Sequence, residues 1–305
     1  MQDRLKFAAV GGGLVALFGV ALGIGALVGA PAAQAPDHGA ITRPGQDTAS
    51  GLTDSQAGYT MNALTAPADP NQAGSLQFRI TGPDGAPVTR FTTRHDRDLH
   101  LIVVRSDATE YRHVHPTMDS SGTWSTDWRW AAPGTYRVFA DFVPETNGAE
   151  PGDLALSRTV TVSGTAVPQP LPPPARSVKV DGYQVTSVGD LDTEGGELRF
   201  TISRDGVPVS DLQPYLGTYA HLVALRAADL AYLHVHPQGE VGRSPAGPDV
   251  SFHAQAPSSG AYRLYLDFSH GGTVHTAEFT AEAWATESST APSTSGGHSH
   301  SGGGR

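Results

Sequence analysis

The sequence predicts an all-β chain: two tandem β-sandwich domains preceded by one transmembrane helix. Three observations predict it. A charge-free apolar stretch stands near the start of the 305-residue chain. Beyond it, short runs of Val, Ile, Phe, Tyr and Thr alternate with Asp-Gly, Pro-Gly and Ser-Gly turns, without helical periodicity. One long stretch then occurs twice, the copies standing 121 residues apart.

The anchor comes first. After Arg4 and Lys6, residues 7–29 carry no charge, and about 20 such residues cross a bilayer as a helix. The positive charges lie on its N-terminal side, which leaves residues 1–6 cytoplasmic and everything after Ala30 outside, a single-pass arrangement. A cleaved secretory signal, releasing a secreted protein, is the competing reading, with Ala-x-Ala patterns at Ala30 to Ala32 and Ala33 to Ala35. Residues 30–51 have no apolar periodicity and read as a flexible stalk. Two sandwich repeats follow, 52–164 and 177–285, joined by a Pro-rich linker at 165–176 that should be an extended spacer. Residues 286–305 read as a disordered His/Gly/Ser tail.

Composition removes several functions. With 38% hydrophobic residues each repeat can bury a core. The absence of cysteine excludes disulfides, thiolate zinc sites, cysteine nucleophiles and cysteine-ligated copper. A net charge of −10 argues against a nucleic-acid partner, whose phosphates need clustered Lys and Arg.

The duplication is dense. His100-Leu-Ile-Val-Val-Arg-Ser-Asp-Ala-Thr-Glu-Tyr-Arg-His-Val-His-Pro116 aligns without gaps on His221-Leu-Val-Ala-Leu-Arg-Ala-Ala-Asp-Leu-Ala-Tyr-Leu-His-Val-His-Pro237. Matches extend to Asp84–Val88 with Asp205–Val209 and to Gly134–Phe142 with Gly260–Phe268. In the first repeat, strands are expected near 59–64, 75–81, 99–105, 111–115, 123–130, 135–142 and 154–162. Seven strands suit an immunoglobulin-like or cupredoxin-like sandwich. Tyr136 and Tyr262, each just after a Gly turn, are either tyrosine corners or plain core residues.

Strand parity gathers the histidines. His113 and His115 are two residues apart and so share a face. If the hairpin from 100 to 115 turns between Asp107 and Ala108, paired residue numbers sum to 215 and His100 lies across from His115. Facing Cβ atoms stand about 4.5–5.5 Å apart, close enough for imidazoles to share an ion at about 2.0–2.1 Å. The second copy places His221, His234 and His236 alike, around a turn at Ala228-Asp229. A lone strand histidine is usually structural or exposed, but three recurring at matched positions in both copies point to metal ligands.

Further candidates surround these six. Asp141 and Asp267 are duplicated and offer a fourth ligand, but their strand face carries Arg137 and Arg263, so a surface ion pair is the alternative. Met118 follows the first HxHP, and with Gly239 at the second copy's position it reads as packing. His253, His270 and His275 occur in the second repeat alone; the last two stand around a hairpin loop, as a further site or a cover over the first. His298 and His300 in the tail are either a metal-capture tract or solvated low-complexity sequence. His95, in a charged loop, reads as a surface residue. Imidazole-rich, thiolate-free sites suit copper, which binds most tightly, with zinc as the alternative. Binding should weaken as pH falls below about 6.5, because the ligands must be neutral.

The two HL-x3-R stretches running into Y-x-HxHP, at His100 to Pro116 and His221 to Pro237, resemble those of exported or membrane-anchored bacterial, actinobacterial-type proteins of the heavy-metal-binding, copper-handling kind. The resemblance covers the two repeats and implies extracytoplasmic metal binding, with an envelope metalloprotein as a possible partner. Three functions stay open. The first is a non-catalytic metal-binding or delivery module. The second is a cell-surface sandwich that binds protein or polymer, the histidines being bystanders. The third, a copper- or zinc-dependent enzyme, ranks last because no HExxH, Ser-His-Asp signature or carboxylate pair can be placed.

Overall fold

The computed structural model describes residues 50–146, 151–233 and 235–285. The expected anchor at 7–29, the stalk up to residue 49, the tail at 286–305 with His298 and His300, and His234 lie outside the described residues. Among the described residues no helix is long and apolar enough to cross a membrane, and every regular element is a β-strand.

The first repeat contains β1 (Ser55–Gln56), β2 (Tyr59–Thr65), β3 (Gly74–Thr81), β4 (His100–Arg105), β5 (Arg112–Val114), β6 (Thr117–Met118), β7 (Thr123–Trp128), β8 (Gly134–Phe142) and β9 (Leu154–Val162). The seven strands expected there are all present, their ends shifted by up to two residues. They form two sheets, β1-β2-β3-β7-β6 and β5-β4-β8-β9. Alternate residues explain the sandwich: Met61, Leu76, Phe78 and Trp124 from one sheet meet Leu101, Val103, Val138 and Leu156 from the other in one buried core.

The second repeat contains β10 (Ser177–Val180), β11 (Tyr183–Val188), β12 (Leu191–Asp192), β13 (Gly196–Arg204), β14 (Val207–Pro208), β15 (Ala220–Arg226), β16 (Tyr232–Leu233), β17 (Val235–Gln238), β18 (Asp249–Ala254), β19 (Gly260–His270) and β20 (Thr273–Trp284). Its sheets run β10-β11-β13-β18-β17, with β14 against β13, and β12-β20-β19-β15-β16. Both Tyr136 and Tyr262 are tyrosine corners: each buried ring sends its hydroxyl to a backbone carbonyl four residues upstream, Ala132 or Ser258, at 2.9 Å.

The two sandwiches meet through the sheets that carry the HL-x3-R strands. While Leu101 and Val103 face their own core, Ile102 and Val104 of β4 join Phe139, Val223, Leu225, Leu230, Tyr232 and Tyr265 in a third buried cluster drawn from both repeats. Gly51, at the expected end of the stalk, enters this seam with φ +72, and a Cβ there would stand 2.9 Å from both Phe139 and Tyr232. Only glycine accepts that backbone and that contact without strain.

The hairpins that present the histidines are pinned at their turns. Arg105 grips Asp107 through two hydrogen bonds of 2.9 and 2.8 Å, and Arg226 grips Asp229 in the same way. Between β4 and β5 the pairs Leu101/Val114, Ile102/His113 and Val103/Arg112 sum to 215, the register that the Asp107-Ala108 turn implies. Beyond Val114 the chain leaves this sheet for β6 at the edge of the other one. His115 and Pro116 form the crossing, where a proline lacking its N–H does no harm.

Candidate metal centre

The crossing places one histidine at the end of an edge strand and a second just past it, while β4 supplies a third from next door. His100, His113 and His115 each offer a ring nitrogen, and these nitrogens lie within 4.8 Å of one another. The ring centroids are 5.2, 5.1 and 4.9 Å apart.

Outer hydrogen bonds decide which nitrogens remain free. His100 Nε2 donates to the Arg94 carbonyl at 3.2 Å, and His113 Nδ1 donates to Asp267 Oδ2 at 3.0 Å. A carbonyl and a carboxylate can only accept, so in the neutral rings His100 Nδ1 and His113 Nε2 carry lone pairs. These two atoms face each other at 3.0 Å. A cation between them settles that contact, either a proton on one nitrogen, which makes it a hydrogen bond, or a metal ion bound by both. An ion about 2.0–2.1 Å from each would see them at roughly 90–100°. His115 Nε2 is buried without any hydrogen-bond partner, which is costly for a polar atom unless something binds it.

The electrostatics favour neutral rings at His100, His115 and His221. Burial, followed by the neighbouring His113 ring, holds His100 down at about 4. Burial and then the rings of His113 and His100 hold His115 at about 3. His221 is pushed well below its ordinary value by burial and then by His113. Protons therefore compete poorly for these nitrogens near neutral pH.

Asp267 sits behind the centre. Its side chain and that of His113 are only 2% and 3% exposed. It also accepts the Tyr111 hydroxyl at 3.2 Å and the Thr276 hydroxyl at 2.6 Å. It is not the surface partner of Arg263, which instead pairs with Glu278 and Thr280. Asp141, its counterpart, accepts the Tyr232 hydroxyl at 3.0 Å, while Arg137 reaches the Gly51 carbonyl. The two duplicated carboxylates thus each take the duplicated tyrosine of the other repeat.

The other candidates are distributed as follows. His221 lies 5.8 Å from His100 and 5.9 Å from His113 between ring centroids, and its Nε2 donates to the Leu216 carbonyl as His100 does to Arg94. In the second hairpin the pairs Ala224/Leu233 and Leu225/Tyr232 sum to 457, the register expected there. That ladder ends at Leu233, and His236 stands instead on β17, opposite His253 of β18 in the other sheet. His270 bonds Tyr183 and Asp211, and His275 bonds Asp181. Parity puts both on the face of the β19–β20 hairpin opposite Asp267, so they neither join nor cover the triad. Met118 packs on the first core.

The sequence reading missed His95 and the role of Asp267. His95 and Asp96 both have positive φ, forming a tight turn bridged by Arg94 and Arg97. That turn lays the His95 ring 4.9 Å from His221 and 6.1 Å from His100. A His-Asp pair tolerates the left-handed region, which is the one local signal for such a turn.

Comparison with known proteins adds a family. A family profile described as "Domain of unknown function (DUF8832)" matches twice, at residues 54–150 and 178–285. No curated protein matches the chain. Among solved structures, InvD of Yersinia pseudotuberculosis is similar at 10% identity and TM-score 0.24, over 76% of this chain and 59% of that one. Domains 5-6 of the S-layer protein SbsC are similar at 11% identity and TM-score 0.24, over 74% of this chain and 96% of that one. The fibronectin(III)-like modules of Clostridium thermocellum CbhA are similar at 10% identity and TM-score 0.20, over 74% and 93%.

Proposed function

We propose that this chain, which belongs to the DUF8832 family and carries that domain twice, is an extracytoplasmic, membrane-tethered protein that binds a transition-metal ion through histidine and holds or delivers it. The observation that carries this reading is the convergence of three ring nitrogens within 4.8 Å of one another, one of which, the buried Nε2 of His115, has no hydrogen-bond partner. A purely structural histidine cluster would be arranged so that every ring nitrogen had a donor or an acceptor.

Copper is the first choice and zinc the second, because three imidazoles without thiolate suit both and the affinity order favours Cu(II). His100, His113 and His115 are the ligands, and His221 and His236 are candidates of the second copy. The metal is cargo rather than a catalyst in this reading, and an envelope metalloprotein is the partner that would receive or supply it. The tether is the charge-free run at 7–29, whose flanking charges support an outside location for both repeats. The paired tyrosine corners support an immunoglobulin-like sandwich.

Competition titration of the protein with Cu(II) and Zn(II) against a chromophoric chelator tests the assignment. Combining His113→Ala with His115→Ala should weaken binding by more than the roughly 10–100-fold typical of losing an outer partner. Replacing His298 and His300 should leave the tight phase unchanged. Absence of tight binding in the parent protein, or a tight phase that survives loss of the triad, would remove the proposal.

A further inference from the structure

We propose that ion occupancy clamps the two repeats together, because the centre takes its ligands from the first repeat and its positioning carboxylate, Asp267, from the second. This inference rests on the metal-binding reading above and adds a coupling that the reading does not require.

The geometry behind it is a carboxylate fixed by one sandwich and used by the other. Asp267 Oδ1 is held by Thr276 of its own hairpin at 2.6 Å. Its Oδ2 receives both donors from the first repeat, His113 Nδ1–H at 3.0 Å and the Tyr111 hydroxyl at 3.2 Å. Tyr111 stacks on Tyr265 of the second repeat, with centroids 4.0 Å apart and planes 5° from parallel. Tyr265 returns a hydroxyl to the Ala108 carbonyl of the first hairpin at 2.7 Å. Tyr111, Tyr265 and Ala108 therefore belong both to the apolar seam and to the network around Asp267.

The sign of the coupling follows from charge. A dication on His113 Nε2 draws electron density from the ring, makes its Nδ1–H more acidic and strengthens the bond to Asp267. Without the ion, that added polarisation of the His113–Asp267 bond is absent. The ion therefore favours the docked arrangement, and by linkage docking raises ion affinity by the same factor. His221, 5.9 Å from His113, is the second-repeat imidazole brought nearest the centre among the described ring contacts.

Because the chain has no cysteine, labels can be placed at will. Spin labels at Ser121→Cys in the first repeat and Val207→Cys in the second, both exposed sites, report the distance between sandwiches in the full chain. Saturating Zn(II) should narrow the distance distribution of the otherwise parent protein. Asp267→Asn should lower zinc affinity by about 10–100-fold, the usual effect of losing an outer-shell partner, and should keep the distribution broad with zinc bound. Tyr111→Phe keeps the aromatic stack, removes one donor to Asp267 and should give an intermediate loss, which covers the case in which Asp267→Asn does not fold. Zinc bound at the triad with a distribution the same as that of the apo protein, or an Asp267→Asn affinity within twofold of the parent, overturns the clamp and leaves the metal-binding reading standing. No zinc binding by the parent overturns the reading itself, and the clamp with it.

Discussion

At His100, burial withholds water from the ring, and the bond from Nε2 to the Arg94 carbonyl leaves Nδ1 turned toward His113. Its folded pKa of about 4 and that of His115, about 3, lie below the ordinary 6.5. Between these values the unfolded chain binds more protons than the folded one, so stability of the ion-free protein is full above about pH 6.5 and falls as pH drops toward 3. For His100 alone the loss is on the order of 3 kcal/mol, and urea unfolding at pH 7.5, 5.5 and 4.5 should record it. Ion binding responds at lower pH than an ordinary histidine would dictate: its loss should be centred below 6.5, nearer the folded values. A second test separates a ligand from a structural residue. His115→Leu removes a buried nitrogen without a partner, so the ion-free protein should keep its stability or gain roughly 1–2 kcal/mol, while ion affinity falls. A loss of stability in the same variant would mark His115 as a structural residue.

At the scale of the hairpin, the legible and illegible parts of the site divide cleanly. The 215 register could be read because Asp107-Ala108 marks the turn, Ala108 takes a positive φ of 58°, and parity does the rest. The strand switches after Val114 and after Leu233 could not be read, since in each repeat the sheet that captures the rest of the chain is chosen by a distant strand, β7 or β18. The turn itself is tested by Asp107→Ala. That carboxylate, held well below the usual range chiefly by the Arg105 guanidinium against the cost of its burial, also receives the Thr109 hydroxyl and the Gln169 amide. Its removal leaves the buried Arg105 unpaired and should destabilise the protein by about 1–3 kcal/mol in thermal melts. Loss of the hairpin register would also lower ion affinity.

Over the whole molecule, the seam was written in the strands but hidden in its consequences. His100–Arg105 is buried at every position and Ala220–Arg226 at all but the last. A sandwich strand with one wet face alternates, whereas an unbroken apolar run such as Leu-Ile-Val-Val marks cover on both faces. The same parity that sends Ile102 into the seam sends His100 beside it, which is why the centre lies where the repeats meet. The part played by Asp267 had no local signature, because its partners, His113 and Tyr111, stand more than 150 residues away. Diffraction at the metal absorption edge from crystals of the copper- or zinc-loaded chain tests the central claim most directly. The account predicts an anomalous peak bonded to His100 Nδ1, His113 Nε2 and the ring of His115. A peak at His236 and His253 or in the tail with the triad empty, or no peak at all, would contradict it.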